Sequence, residues 1–531
     1  MEPTTERVRH RNALATSKSL FTADAAAVLL LLSASAIIAW PRWQSGIDWG
    51  DEGLLAYGAI RVIDGQLPNR DFFSLQPPLP FYVAAVMFKM FGISLGSLRI
   101  LGLAIYLAIP LLLYGIARHV VKPLPALAAA VPAIVLGMPY FYFVPLAVWQ
   151  GIAASLAAAF LFLEATLRRR QLLAVAAGIL TAASILCRHD QGLYLSISLV
   201  VLISALRRAK QTGVTNAHVA AVLLRWVIGL MIVLLPAAIY WCAKGALPEM
   251  FRQLVYFPVV VYGKTSSLPF HHFNSRLPLS RNAVVALYYL PLIAFATAMV
   301  LIVRRVAFKQ FFFCEAMLTF FLIWAVLFYF QVLTRSDIFH LLMTLPPFFL
   351  LAALLWDRIV AEFERNYSQT AAPKIVAPSV AAAGLVWFLY VVAPVTLPDM
   401  RAAKDVLHLA RGNVRVANAE QIAQEVETVQ KHVPANRSIL CLPYHPVLYF
   451  LCERHNPTHW NYLWPGDQTP EDHQTLISEA RRDPPAAILI INEPKMASYA
   501  ADILDYVHQE FEPGGMSGDM QLYVPRGETH E

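Results

Sequence analysis

Long apolar runs alternate with short polar connections along most of the chain. A helix that crosses a membrane needs about 20 apolar residues, and windows of that size identify eleven runs. They are Ala25–Trp40, Leu98–Ile116, Leu124–Gly137, Leu146–Leu163, Leu172–Leu186, Leu193–Leu206, Val219–Trp241, Ala283–Val303, Phe311–Phe330, Phe339–Trp356 and Ile375–Val395. The pattern predicts about eleven transmembrane helices. A further, partly apolar stretch, Leu79–Phe91, is expected to lie in the interface.

The first run resembles a signal peptide, because a basic segment precedes it and it contains small residues, Ala34-Ser35-Ala36, that would suit a cleavage site. The apolar run nevertheless continues to Trp40, a residue type that anchors helices at the interface. We therefore predict an uncleaved helix. In either case residue 41 is expected outside.

Lys and Arg concentrate in alternate connections, which the positive-inside rule places in the cytoplasm. The basic segments are 1–23, 117–123, 168–171, 207–215, 304–310 and 357–374. Odd parity then puts the C-terminus outside, provided that Leu79–Phe91 does not cross. We expect a multi-pass protein of the cell membrane, the inner membrane in a bacterium, with its C-terminal domain periplasmic or extracellular.

From Met400 onward the sequence becomes mixed and polar. Ser438–Leu442, Ala486–Ile491 and Met520–Val524 read as strands, and Glu420–Lys431 and Ser498–Glu510 as amphipathic helices. The predicted fold class is an all-α polytopic membrane protein with a small C-terminal α/β domain. Its expected parts are a cytoplasmic segment (1–23), a transmembrane domain (24–399) with an outer loop at 41–97, and the C-terminal domain (400–531).

Composition excludes a soluble protein, since 58% of residues are hydrophobic and only 15% are charged, against roughly 45–50% and 25% in soluble domains. The first 399 residues carry 31 Lys and Arg against 17 Asp and Glu, whereas the rest carry 11 against 18. Membrane topology accounts for the basic residues, so a nucleic-acid partner is not expected. The five cysteines show no CxxC spacing; Cys441 and Cys452 are able to pair only in an oxidising compartment.

The candidate chemistry lies in the first outer loop, because the apolar runs are nearly free of charge while acids gather between the first two. Asp51 and Glu52 precede a helix-like stretch, Gly53–Ile63, that is expected on the membrane surface. Asp51 fits the N-cap of this helix. A carboxylate fixed in that way is also available to a hydroxyl, and an adjacent pair can divide the roles of proton acceptor and cation ligand.

This loop resembles the C-type glycosyltransferase superfamily, in the branch that contains protein O-mannosyltransferases, lipid A aminoarabinose transferases and rhizobial lipopolysaccharide glycosyltransferases. The resemblance covers about residues 20–400 and omits the tail. The segments that carry it are Asp51-Glu52, Asp64-Gly65, Pro68–Phe72, Pro77–Leu79, Phe91-Gly92 and Leu98-Arg99.

The resemblance implies transfer of a sugar from a polyprenyl-phosphate donor to a glycan, lipid or protein acceptor on the outer face, with inversion. Asp51 matches the proposed base and Glu52 the second acid of the pair, and Arg70 and Asp71 belong to the substrate-binding turn. No cofactor is implied with certainty, and a divalent metal stays an alternative. Gln76 replaces the Lys that several relatives use for the carrier phosphate. Either another cation must then bind the carrier phosphate, or the donor is bound differently.

Two short outer turns offer that cation. Arg335, with His340 near it, joins the ninth and tenth spans, and Arg188 with His189 joins the fifth and sixth. Arginine suits phosphate because its planar fork donates two hydrogen bonds. The alternative for Arg335 is an ion pair with Asp337 at the interface, and for the other turn simple capping of two helix ends.

The long connection Ala243–Asn282 is expected to cover the substrate. Its consecutive His271 and His272 make a weak metal pair, because neighbours on a strand point apart. The C-terminal domain either binds the acceptor or covers the loop. Two other functions stay open: a secondary transporter, although neither internal repeats nor polar midplane groups are clear, and a scaffold without catalysis.

Overall fold

A computed structural model describes residues 22–210, 214–274, 276, 278–367, 403–518 and 520–527, with eight isolated positions between 376 and 397. The helices of the first part are α1 (Thr22–Ala39), α2 (Asp51–Ile63), α3 (Leu79–Phe91), α4 (Leu95–Ala117), α5 (Pro123–Val135), α6 (Ala147–Leu167), α7 (Leu173–Cys187), α8 (His189–Arg208), α9 (Asn216–Ala243), α10 (Leu247–Phe251), α11 (Leu279–Ala307), α12 (Phe313–Thr334) and α13 (Ile338–Asn366). A π-helix, Arg252–Tyr262, follows α10.

Nine helices in the described ranges are long and apolar enough to cross a membrane, and α7, with 15 residues, is a shorter one. They coincide with the first ten predicted spans, so the chain is a multi-pass membrane protein. The eleventh span, Ile375–Val395, lies outside the described residues apart from isolated positions. The bundle packs α6 on α7, α7 on α9, and α12 on both α8 and α13 around one large apolar core.

The periodicity of helix α2 predicted an exposed helix on the membrane surface, but the structure buries α2 between α3 and the C-terminal domain. Most of its residues are inaccessible, because both its faces contact protein. The two backbones approach closely at Gly53, where a Cβ atom would lie 2.2 Å from the backbone nitrogen of Val447. Any side chain there would push the C-terminal domain away from the start of α2.

Helix α3 has only 13 residues, about 20 Å. It buries Phe81, Ala84 and Phe88 against α2 and the C-terminal domain, and it exposes Met90 and Phe91. This one-sided burial fits the predicted position at the edge of the bilayer.

The C-terminal domain combines a four-stranded mixed sheet with short helices. In chain order its elements are β1 (Asp405–Val406), β2 (Arg415–Val416), α14 (Ala419–His432), β3 (Ile439–Leu442), α15 (Val447–Leu451), α16 (Pro470–Arg482), β4 (Ala487–Ile491), α17 (Glu493–Ala497), α18 (Ala501–Glu510), β5 (Phe511–Ser517) and β6 (Met520–Pro525). The sheet order is β3-β4-β6-β5, with β3 and β4 parallel and the other pairs antiparallel. The predicted α/β class is confirmed.

The sequence reading missed α16, although its start signal is present. Thr469 and Asp472 form a capping box, and Pro470 occupies the first helical position. The reading also missed β5, whose two glycines obscure the strand pattern.

The C-terminal domain docks on the first outer loop through backbone and aromatic contacts. The backbone nitrogen of Arg415 donates to the carbonyl of Gln44 (2.7 Å), and that of Phe73 donates to the carbonyl of His459 (3.0 Å). The rings of Phe88 and Phe450 stack with centroids 5.5 Å apart. Loop and tail therefore share one apolar core, which fixes the start of α2 beneath the tail.

Candidate active site

Asp51 is the first residue of α2, but it is not the cap that its position predicted. Gly50 is the N-cap residue, and the Asp48 carboxylate accepts the backbone N–H groups of Gly50 (3.0 Å) and Asp51 (2.9 Å). Asp48 and Asp51 could both cap the start of α2, and it is Asp48 that accepts the hydrogen bonds. The Asp51 carboxylate is therefore free of a capping role.

The half-buried Asp51 carboxylate accepts one hydrogen bond from the hydroxyl of Tyr444, at 2.9 Å. Burial, and secondarily the neighbouring Asp48 charge, raise the pKa of Asp51 to about 7, while Tyr444, Arg335 and Arg188 act in the opposite direction. A pKa near the working pH suits a general base, since the group then accepts a proton without being fully protonated beforehand.

Glu52, the second acid of the pair, faces away from that carboxylate. Its Oε2 forms an ion pair with Arg99 at 2.7 Å, and neither side chain is exposed. The same oxygen accepts the backbone N–H of Asp48 (3.2 Å), and Arg99 also donates to the carbonyl of Gly46 (2.9 Å). Glu52 thus ties the loop before α2 to α4, and its burial leaves no access for a cation shared with Asp51.

The predicted metal role is not supported elsewhere in the ranges that the structure describes, where no group of three or more His, Cys, Asp or Glu side chains could hold an ion. His271 packs against the ring of Tyr288, with centroids 4.6 Å apart. No step is assigned to a metal on these residues.

Arg335 lies in the turn between α12 and α13 and has two partners. Its Nε donates to Asp337 (2.9 Å) and its Nη1 to the hydroxyl of Tyr262 (3.1 Å). Asp337 caps α13 and also accepts from the ring of His340 (2.8 Å). Although burial raises the pKa of Asp337, its bonds to His340 and Arg335 bring it down to about 2.

The ion pair expected as the alternative for Arg335 is therefore present, but it does not remove the arginine from the site. Arg335 is close enough to Asp51 to lower its pKa. Its remaining nitrogen, Nη2, makes no hydrogen bond to the described residues, so Arg335 keeps a donor for a ligand. His340 is bound to Asp337 and acts on Arg335 only through that acid.

Arg188 lies at the junction of α7 and α8 and pairs with Asp190 (3.0 Å). It too lowers the pKa of Asp51. His189 is half-buried beside it, and its Nδ1 has no hydrogen-bond partner among the described residues. Arg188 and Arg335, from two other parts of the chain, thus both act on the charge of Asp51.

Arg70 and Asp71 do not join this group. They bind each other through two hydrogen bonds of 2.7 and 2.8 Å, and Arg70 also donates to the carbonyl of Lys244. Asp71 accepts the backbone N–H of Leu67 at 2.7 Å. Their observed contacts close the loop between α2 and α3.

Sequence reasoning missed the contribution of the C-terminal domain. Tyr444 contacts Asp51, and Tyr462 and Asp467 lie behind Tyr444. The aromatic run that ends in a Pro-Gly turn and an aspartate, 460–467, was a usable signal, because Tyr and Trp are enriched at interfaces. Tyr262 lies in the connection predicted to cover the substrate, and in the same connection the backbone nitrogen of Leu268 donates to the carbonyl of Thr334 (3.3 Å).

Solved structures share this fold. The archaeal oligosaccharyltransferase AglB from Archaeoglobus fulgidus, in complex with an inhibitory peptide and a dolichol-phosphate, is 11% identical, with a TM-score of 0.58, over 96% of this chain and 75% of that chain. ArnT from Cupriavidus metallidurans, bound to undecaprenyl phosphate, is 13% identical, with a TM-score of 0.55, over 95% and 98%. Apo ArnT from the same organism is 14% identical, with a TM-score of 0.53, over 96% and 98%.

No family model matches the sequence, and the search of curated proteins gave no significant match. The structural likeness therefore carries the assignment at the level of fold. The chain has the fold of the C-type glycosyltransferases, as the first outer loop predicted.

Proposed function

We propose that this chain is a membrane glycosyltransferase that moves a sugar from a polyprenyl-phosphate donor to an acceptor hydroxyl on the outer face of the membrane. The observation that carries the proposal is the Asp51 carboxylate, held at the start of α2 by the hydroxyl of Tyr444 (2.9 Å), with two arginines, Arg335 and Arg188, within electrostatic range. The structural neighbours include one with a dolichol-phosphate and one with undecaprenyl phosphate, which supports a lipid-linked donor. The acceptor class, whether glycan, lipid or protein, is left open.

In the proposed reaction Asp51 takes the proton of the acceptor hydroxyl. The hydroxyl oxygen forms a bond to the anomeric carbon while the bond from that carbon to the phosphate oxygen breaks. The carrier leaves as a phosphate monoester with roughly two negative charges. Arg335 and Arg188 stabilise that charge as it develops, which is where preorganised donors contribute most to rate. A base and a leaving group on opposite sides of the carbon give inversion.

The arginines also account for Gln76, which replaces the lysine of several relatives. The backbone nitrogen of Gln76 donates to the hydroxyl of Ser74 (3.0 Å), and its side chain supplies no charge. Arg335 supplies the positive charge that Gln76 lacks, and a guanidinium fork fits phosphate better than an ammonium group does. Glu52 contributes by holding the backbone before Asp51 through Arg99.

The test is transfer of a radiolabelled sugar from undecaprenyl-phosphate donors in membranes that contain the chain. Asp51→Asn keeps the size of the side chain and removes the base, so transfer should fall by roughly 10²-fold or more. Asp64→Asn, at the exposed other end of α2, is the matched control and should transfer at the parent rate. A folded Asp51→Asn protein with parental activity would contradict the proposal, and parental membranes without any transfer would reject a sugar transferase.

We further propose that the C-terminal domain and the Asp51 site lie outside, with the N-terminus in the cytoplasm. In a Cys242→Ser background, a cysteine at exposed Ser478 should react with a membrane-impermeant thiol reagent in intact cells or spheroplasts. A cysteine at exposed Glu364, at the basic end of the bundle, should react only after lysis. The reverse pattern would invert the topology.

A further inference from the structure

Asp467 is a buried carboxylate without a structural partner of ordinary strength. It follows the Pro465-Gly466 turn and is 5% exposed. Its Oδ2 accepts a long hydrogen bond of 3.5 Å from Tyr462, and its Oδ1 is buried with no partner among the described residues. Burial raises its pKa to about 7. Burying an unsatisfied acid costs free energy, and proteins tolerate such violations mainly where a ligand satisfies the group.

This acid borders the same space as Asp51. A Cβ atom at Gly466, next to Asp467, would lie 2.6 Å from the side chain of Thr265. The same segment contains Tyr262, which accepts a hydrogen bond from Arg335 (3.1 Å). Arg335 accordingly lowers the pKa of both carboxylates.

The rings of Tyr444 and Tyr462 meet edge to face, with centroids 5.1 Å apart. Tyr444 holds Asp51 and Tyr462 holds Asp467. The two tyrosines therefore form one wall that contacts an acid at each end.

The wall is built by close packing. A Cβ atom at Gly50 would lie 1.9 Å from a ring carbon of Tyr444, so the ring rests directly on the backbone at the start of α2. The ring of Trp464 packs against the same tyrosine, with centroids 5.2 Å apart. Tyr444 and Trp464 are both half-buried and keep part of their rings accessible.

We propose that Asp467 and these aromatic side chains bind the sugar that the donor carries, so that the C-terminal domain selects the donor. This inference rests on the proposed function. A carboxylate accepts hydrogen bonds from sugar hydroxyls, and aromatic rings pack against the apolar faces of sugar rings. The sugar is joined directly to the carrier phosphate. A phosphate bound at Arg335 would therefore place the sugar near Asp467.

The binding role makes a prediction that an acceptor-binding role does not. Asp467 should distinguish glycosylated from bare carrier before any acceptor is present. It should also discriminate against donors that lack the recognised hydroxyl, because a site built to bind a hydroxyl is left with an unpaired polar group when the hydroxyl is absent.

The experiment measures binding by the full chain in nanodiscs of two probes: undecaprenyl phosphate, and undecaprenyl phosphate that carries one hexose or pentose. The parent should bind at least one glycosylated probe more tightly than the bare carrier. Asp467→Asn should lose about tenfold in affinity for that probe and keep its affinity for the bare carrier. Probes with single-deoxy versions of that sugar should include one that the parent binds weakly. Asp467→Asn should reduce the affinity for that deoxy probe only slightly further.

Asp505→Asn is the matched control, since Asp505 is exposed on α18 of the same domain. It should leave both affinities unchanged. Because Asn removes a buried charge, Asp467→Asn should also melt no lower than the parent at pH 8, which separates a binding defect from unfolding.

Equal weakening of both probes in Asp467→Asn would overturn the inference, since the acid would then act through the phosphate site. An unchanged preference for the glycosylated probe would overturn it as well, while transfer by the same preparation would leave the proposed function intact. A parent that transfers sugar to acceptor but shows no preference for a glycosylated carrier also removes the sugar site. A parent that binds no carrier and transfers nothing rejects the proposed function and the inference together.

Discussion

The two ends of the helical bundle carry acids in opposite circumstances. At the basic end, Glu315 is surrounded by Arg358 and Arg305 where α11, α12 and α13 meet. Glu164 there has His119 at 3.0 Å and two further arginines within 4 Å. Each acid has at least two cationic partners. These ion-pair clusters lock helix ends together.

At the other end, the acids have fewer partners than they can use. Asp51 receives one hydroxyl and Asp467 one distant hydroxyl, while Arg335 keeps a nitrogen unbound. Burial without full pairing raises the pKa of both acids to about 7. The contrast teaches that charge alone does not identify a site: the charges left unsatisfied by their own neighbours are the ones available to a substrate.

The contrast is tested most strongly by removing one arginine from each end. Arg335→Ala should lower transfer by roughly 10²–10³-fold through poorer use of the donor, because a group that stabilises the leaving phosphate is lost. Arg335→Lys should retain part of the activity. Steady-state kinetics over a range of donor concentrations measure both variants.

Arg358→Ala is the counterpart at the basic end. It leaves the largely buried Glu315 without its nearest partner, so the melting temperature in detergent should fall while the donor kinetics of the folded fraction stay parental. Unchanged donor kinetics in Arg335→Ala would remove this arginine from the site and erase the distinction between the two ends.

A second variant separates the neighbouring acids of the outer loop. Glu52→Gln leaves Arg99 buried without a countercharge, so the free energy of unfolding should fall by about 3 kcal/mol. Asp51→Asn removes no ion pair, and its stability should change by under about 1 kcal/mol. Chemical or thermal denaturation in detergent compares the two. A stable Glu52→Gln protein with no transfer would instead assign Glu52 to the chemistry.

The sequence predicted the bundle because hydropathy along a helix is local information. Each span needs only its own apolar residues, and the first ten coincide with helices. The same holds for strands β3, β4 and β6 and for α14 and α18. The position of α2 could not be predicted in this way, because its apolar face is covered by residues some 390 positions later, such as Val447.

The site was predicted only in part, for the same reason. The type and place of Asp51, Arg188 and Arg335 are visible in the outer turns. Asp48 rather than Asp51 caps α2 because the helix starts one residue away from the predicted position. The ion pair between Glu52 and Arg99 joins residues 47 positions apart. Tyr444 and Asp467 lie in a domain that the resemblance does not cover. Their role emerges only from packing.

The smallest expected effect is in the pH dependence, and it sharpens the comparison between paired and unpaired acids. Asp51 must be ionised to accept a proton, and burial with the Asp48 charge raises its pKa to about 7. Transfer should therefore rise roughly tenfold per pH unit below 7 and level off above it. The free energy of unfolding should change in the opposite direction. Because the pKa of Asp51 is higher in the folded chain, ionisation of this acid favours the unfolded chain, and its contribution to stability declines between about pH 4 and 7. Asp51→Asn should lose the acid limb of its residual activity and become the more stable protein at pH 8. Tyr444→Phe removes a hydrogen bond that stabilises ionised Asp51, so the pKa of Asp51 should rise and the acid side of the pH–activity curve should move to higher pH. An acid limb near pH 7 that persists in Asp51→Asn would assign the titration to another group.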